Sequence, residues 1–206
     1  MQILRTIFHS WDLALDRLPT FMLFFFLHGM RLAILLAITL FAFGGMPNSP
    51  WIVLTILIVS SVISLMDLNT ICLRMLRGQP ITLVGRYDPA LLAKVMVTTL
   101  CVVGLIATGF LLFIVPGIIL AVLLSFCGFA LIDGDGPMQS IRDSWTLVRS
   151  AFLQVVMVFT VFTASSIIFS HPFLWGLDIF LDTVLTISLA TIYNTKRSLL
   201  KGHHDF

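Results

Sequence analysis

From Val95 to Ile132 the chain runs 38 residues without a charged side chain. As one α-helix this run would reach about 57 Å at 1.5 Å per residue, whereas a bilayer core measures about 30 Å. Pro116-Gly117 lies near its middle. Proline removes a backbone donor and glycine permits a reversed backbone, so two helices joined by a tight turn are expected. That turn must sit near the headgroups, because irregular backbone exposed to lipid cannot satisfy its polar groups.

The rest of the chain has the same character. Of 206 residues, 59% are hydrophobic and 11% charged, with a mean hydropathy of +1.07. A soluble domain carries about 25% charged residues, so lipid must cover the apolar excess here. Six stretches have spanning length: Phe21–Phe43, Trp51–Leu73, Val95–Val115, Gly117–Ile132, Phe152–Phe169 and Phe173–Tyr193. Breaker-rich segments, Gly44–Pro50 and Ser170-His171-Pro172, close the first and last pairs. The expected fold class is all-α: a polytopic transmembrane helix bundle of about six spans in three hairpins, with amphipathic helices at the cytoplasmic face. A single integral membrane domain is expected over residues 1–206. Within it, residues 1–19 form an amphipathic interfacial helix, 20–195 the bundle and 196–206 a cytoplasmic tail. The first apolar stretch starts only near Phe21 and is interrupted by His28 and Arg31, which favours an uncleaved anchor over a signal peptide.

Basic residues orient this arrangement. Arg5 and Arg17 precede the first span; Arg74, Arg77, Arg86 and Lys94 lie between the second and third. Arg142 and Arg149 lie between the fourth and fifth, and Lys196, Arg197 and Lys201 follow the last. The three opposite loops contain no Lys or Arg, and the remaining base, Arg31, is inside a span. By the positive-inside rule both chain ends are expected in the cytoplasm. A formal charge of +2 is too small to suggest a nucleic-acid partner. Membrane lipid is the expected partner, with a protein partner or a homo-oligomer as the further alternatives.

Leu4, Ile7, Phe8, Trp11, Leu15 and Leu18 follow helical spacing, while Arg5, His9, Asp12 and Asp16 occupy another face. This pattern suits the headgroup boundary. Ser10-Trp11 recurs as Ser144-Trp145, each within Ser-Trp-x-Leu ahead of a span. Around the second copy, Met138, Ile141, Trp145, Val148 and Phe152 form a stripe with Arg142 and Arg149 off it. Asp88-Pro89 supplies a third helix-start signal. Trp11, Trp145, Arg142 and Arg149 are the expected interfacial anchors. Such segments either anchor the chain or offer a platform to lipid headgroups or a partner protein.

Four polar residues form a candidate cluster at membrane depth: His28 and Arg31 in the first span, Asp178 and Asp182 in the last. The two helices run in opposite directions, so Asp182 falls at nearly the depth of Arg31. Charges there cost several kcal/mol unless paired, hydrated or neutralised. Arg31 is therefore expected to approach Asp182 or Asp178, either as a structural clasp or as part of an ion or substrate path. Asp67, near the cytoplasmic end of the second span, is expected to meet Arg74 or another interfacial base.

No catalytic, cofactor or metal site is expected. No HExxH, phosphate-binding glycine loop or nucleophile elbow is present. Asp133-Gly134-Asp135-Gly136-Pro137 lacks most ligands of a calcium loop and is expected to be a turn. Cys72, Cys101 and Cys127 match no zinc or redox spacing and are expected to be small buried hydrophobes. His203-His204 is expected to be a solvated tail.

Pro116-Gly117-Ile118, the loop through Gly136-Pro137, Ser144-Trp145-x-Leu147-Val148 and the closing Ile192-Tyr193 resemble a broad bacterial membrane family. That family includes YciC-type inner-membrane proteins and the membrane region preceding some glycerophosphodiester phosphodiesterases. The resemblance covers mainly residues 116–193 and implies a bacterial inner-membrane location. It carries over no catalytic residue: the phosphodiesterase chemistry belongs to a separate soluble barrel with essential Glu residues, and this chain has no Glu. A non-enzymatic assembly, scaffold or envelope-maintenance component is the expected function. The alternatives are a small transporter or channel subunit using Arg31, Asp178 and Asp182, then a membrane-embedded lipid-modifying enzyme.

Overall fold

A computed structural model describes residues 2–42, 50–83, 89–169 and 175–201. The expected turns at Gly44–Pro50 and Ser170-His171-Pro172 fall largely outside these residues, as do Arg86, Asp88, His203, His204 and the side chain of Asp178.

The described residues form helices and connecting turns, with no strand among them. In chain order the helices are α1 (Gln2–Asp16), α2 (Leu18–Ala42), α3 (Pro50–Leu76), α4 (Pro89–Leu112), α5 (Ile114–Leu123), α6 (Cys127–Ile132), α7 (Pro137–Ser150), α8 (Phe152–Phe169) and α9 (Trp175–Lys201). Four segments are long and apolar enough to cross a bilayer: α2, α3, α4 and the combined run Ile114–Ile132. The α7–α8 pair, bent by 91° at a short break, brings the count to five. The bend sets α7 at a right angle to α8.

The turn inside the long apolar run lies upstream of its expected place. Phe113 is extended, with φ −164° and ψ 153°, and separates α4 from α5. Pro116 is the third residue of α5, where a helix has no use for the missing N–H. Proline therefore starts the second helix instead of making the turn. The third and fourth spans shift accordingly, to Pro89–Leu112 and Ile114–Ile132. Two glycines close this hairpin. A Cβ on Gly109 would lie 2.8 Å from Leu120 Cδ1, and one on Gly117 would lie 2.5 Å from Phe110 Cγ. At the other end of the chain α9 continues past Tyr193 to Lys201, so the expected tail is helical through its first residues.

A second break, between α5 and α6, is stitched by α7. Ser144 Oγ donates to the Leu123 carbonyl at 2.8 Å and accepts from the Phe126 N–H at 3.0 Å. Both interrupted backbone groups thus find partners inside the protein, as a low-dielectric interior demands.

The main core is built on α9. Val184, Ile187, Ala190 and Tyr193 are fully buried in one cluster with Ile71, Cys72, Phe126, Val148, Val155, Val158 and Ala14. The Tyr193 ring stacks on Phe129 with centroids 5.5 Å apart and meets Phe126 edge-on at 5.6 Å. Lipid is as apolar as these side chains, so close packing and internal hydrogen bonds hold the helices together.

Candidate functional site

The polar residues gather toward one end of the bundle, the basic end, where α3 and α9 finish and α7 lies. Two clusters stand out there, one at membrane depth and one on the surface.

The deeper cluster centres on Asp67 of α3, which is 2% exposed. His28 Nε2 of α2 lies 3.3 Å from Asp67 Oδ2, and Arg31 NH1 lies 3.9 Å from the same oxygen. The Phe24 ring covers His28, with centroids 4.3 Å apart. Asp67, expected near Arg74 or another interfacial base, pairs with His28 and Arg31. Arg31 thus has an acid partner on α3; of its two expected partners on α9, the side chain of Asp178 lies outside the described residues. Asp182 faces a groove of about 560 Å³ that His28, Ser60, Ser61, Ser64 and Thr186 also line. His28 and Asp182 therefore share a wall.

The pairing follows from geometry. His28 is ten residues after the start of α2, and Asp67 nine before the end of α3. In antiparallel neighbours those offsets set both near 14 Å from the same end, by a rise of about 1.5 Å per residue. Adjacent helices matched in depth were the available signal for the pairing with Asp67.

The surface cluster was read from sequence only as a turn. Asp133 follows α6, and Gly134 with φ +95° reverses the chain toward Asp135. Arg77, just beyond α3, donates to both Asp133 oxygens at 2.7 and 3.0 Å, and its Nε donates to Asn194 Oδ1 at 3.2 Å. The Tyr193 hydroxyl donates to Asp133 Oδ2 at 2.9 Å, and Arg197 Nε lies 3.3 Å from that oxygen. Arg197 also forms a two-point pair with Asp135 at 2.7 and 3.0 Å, and one of its nitrogens donates to Tyr193 Oη. This network ties α3, the α6–α7 turn and α9 together. A Asp-x-Asp turn facing lone arginines just beyond two spans was the signal that sequence reading missed.

Electrostatics keep the network ionised. Burial acts to raise the Asp133 carboxyl, but the hydrogen bonds from Arg77 and Tyr193 and the charges of Arg77 and Arg197 outweigh it and hold it below the usual range. The Arg77 guanidinium is held more firmly protonated, chiefly by its hydrogen bond to Asp133. Asp143 is shifted the other way, upward, by burial and by the Asp135 charge. The Asp133 carboxylate is engaged by two guanidiniums and a phenol, which suits it to fastening helices. Among the described residues no three His, Cys, Asp or Glu side chains converge as a metal site.

The interfacial anchors divide in a regular way. Ser10 and Ser144 are fully buried, whereas Trp11 and Trp145 are exposed at 37% and 44%. Leu13 packs on the core and Leu147 lies in it, so both Ser-Trp-x-Leu copies present the same residues inward. Arg142 and Arg149 are exposed on α7. The expected single apolar stripe of α1 is two faces. Ile3, Ile7, Ser10 and Ala14 meet the bundle, while Leu4, Phe8, Trp11 and Leu15 point outward, as does Leu18 at the start of α2. Trp11 also touches Phe180 edge-on at 5.0 Å. Cys72 and Cys127 are buried as expected; Cys101 is exposed on α4, a correction that follows from the lipid-facing position of that helix.

Several long apolar helices, a right-angle bend into an amphipathic helix and a charge network at one end define a multi-pass helical membrane protein. The chain belongs to the family described as Domain of unknown function (DUF7847), whose model matches residues 81–192. The match begins in the loop after α3 and takes in α4 to α8, the Asp133–Asp135 turn and most of α9. No curated protein and no solved structure matches the chain.

Proposed function

We propose that the chain is a non-enzymatic bacterial inner-membrane protein of the YciC type, acting as an assembly, scaffold or envelope-maintenance component. In this reading it crosses the bilayer six times as three hairpins with both ends in the cytoplasm. Helices α8 and α9, of 18 and 27 residues, supply the last two crossings. Helices of those lengths reach about 27 and 40 Å. Six crossings also leave eleven of the twelve Lys and Arg residues on one side.

The observation that carries the non-enzymatic reading is the saturation of the Arg77–Asp133–Tyr193–Arg197–Asp135 network. Its charged groups are spent on one another, which gives the basic face a fixed shape instead of a reacting centre. A second reading, a small transporter or channel subunit, is favoured by the groove of about 560 Å³ where His28 and Asp182 meet a row of serines at membrane depth.

Reconstitution in liposomes separates the two. A scaffold leaves ion and solute flux at the level of empty vesicles, with or without Asp182→Asn. Saturable flux that Asp182→Asn abolishes at an unchanged protein level would replace the scaffold reading with transport. Topology has its own test: a Thr82→Cys variant lacking the native cysteines should react with an impermeant maleimide from the cytoplasmic side. Reaction from the opposite side would overturn the orientation.

A further inference from the structure

Beside the core, α1, α8 and α9 enclose a groove of about 580 Å³ lined by Arg5, Thr6, His9, Gln154, Thr191, Ile192, Thr195 and Lys196. Arg5 and Lys196 are cationic, His9 adds an imidazole, and no carboxylate is among the lining residues. Arg5 and His9 stand one helical turn apart on α1 and present themselves side by side. Gln154 lies in the first turn of α8, immediately after its right-angle junction with α7. That position puts the groove at the end of a span, at the depth of lipid headgroups. Lys196 reaches toward the same junction, its Nζ donating to the Ser150 carbonyl at 3.3 Å. Leu4, Phe8 and Leu153, next in sequence to Arg5, His9 and Gln154, are 61%, 65% and 63% exposed.

We infer that this groove is a binding site for a phosphate-bearing anion, and that the anion is the headgroup of an acidic phospholipid. Arg5 and Lys196 grip the phosphate oxygens from two sides, a charge-assisted geometry that water alone does not satisfy as well. The hydroxyls and Gln154 offer hydrogen bonds to a glycerol-type headgroup, and Leu4, Phe8 and Leu153 carry its acyl chains. The occupied groove would brace α1 against α8 and α9, joining the amino-terminal helix to the bundle through a lipid. The site stands whether the protein is a scaffold or a transporter.

The test uses the full chain in detergent, with native mass spectrometry after addition of phosphatidylglycerol or phosphatidylcholine bearing identical acyl chains. The wild type should retain phosphatidylglycerol preferentially. Removing one cation, in Arg5→Gln or Lys196→Gln, should weaken that retention about fivefold, since a basic residue near a lipid surface contributes about 1 kcal/mol. Arg5→Lys should keep it, and so should Arg142→Gln, which removes an exposed cation of α7 away from the groove. No preference for the acidic lipid in the wild type would overturn the proposal without reference to any variant. Equal retention by Arg5→Gln and Lys196→Gln, with both eluting as folded protein, would also overturn it. Displacement of phosphatidylglycerol by millimolar inorganic phosphate would overturn the lipid assignment in favour of free phosphate.

Discussion

The two ends of the bundle share one secondary structure and differ in what holds it. At the basic end, Asp133 engages Arg77, Tyr193 and Arg197 over a dense aromatic and aliphatic core. At the far end large apolar side chains look outward: Phe41, Trp51, Leu111 and Phe113 are 71–90% exposed. Hydroxyls there bond within their own helices, as Thr39 does to Leu35 and Thr108 to Gly104. Long-range hydrogen bonds and dense packing fix the basic end, while the α4–α5 hairpin depends on backbones brought close at Gly109 and Gly117. Lipid removes the hydrophobic penalty of exposure, so these described side chains need no cover from protein.

The comparison is most exposed to change at Asp133, whose side chain is 9% exposed. Asp133→Ala leaves Arg77 with Asn194 and Arg197 with Asp135, and the loss of the charged hydrogen bonds to Asp133 should cost about 3 kcal/mol, a fall of roughly 10 °C in thermal unfolding in detergent. An unfolding temperature equal to that of the wild type would mean that the network does not hold this end. The wild type should show a matching pH dependence. The Asp133 pKa is held below its ordinary value, so its contribution is complete above that value and is lost as pH falls through the lower, folded one. Unfolding followed against pH should show that loss beginning only on the acid side of the usual carboxylate range, and Asp133→Asn should flatten it.

A smaller effect is expected at the α4–α5 hairpin. Gly117→Ala places a methyl against Phe110 and should cost about 1–3 kcal/mol through overpacking. Adding Phe110→Ala should recover part of the loss; a double variant no better than Gly117→Ala would separate the two residues. Smaller again is Asp67→Asn. The His28–Asp67–Arg31 cluster lies in the membrane-spanning part, where side-chain hydrogen bonds contribute about 1 kcal/mol. A loss of that size should appear in denaturant unfolding, and a much larger one would make the cluster a second keystone. The least change is expected at Asp143, whose carboxyl is pushed up by burial and by Asp135. Its charge is mildly unfavourable in the folded protein near neutral pH, so Asp143→Asn should leave the unfolding temperature unchanged or slightly higher.

Much of the architecture was legible in residue patterns because a bilayer imposes a simple rule. Strongly apolar runs of spanning length must become helices, and α2, α3, α4 and Ile114–Ile132 follow from it. Helix breaks were less legible. Pro116-Gly117 marked the turn only approximately, because proline is as well suited to the first turn of a helix as to the bend before it. Of the candidate cluster, His28 and Arg31 form an ion-pair site with Asp67, and Asp182 lines the same groove as His28.

Composition and the spacing of charges thus determined by themselves that the chain is a helical membrane protein, because the cost of unsolvated peptide groups and displaced charges depends only on local sequence. Which acid meets which base was decided by tertiary structure alone. An ion pair requires two side chains within a few ångströms, and that distance depends on how α3, the α6–α7 turn and α9 are rotated and packed. The Arg77–Asp133–Tyr193–Arg197 network and the basic groove between α1, α8 and α9 both arise in that way.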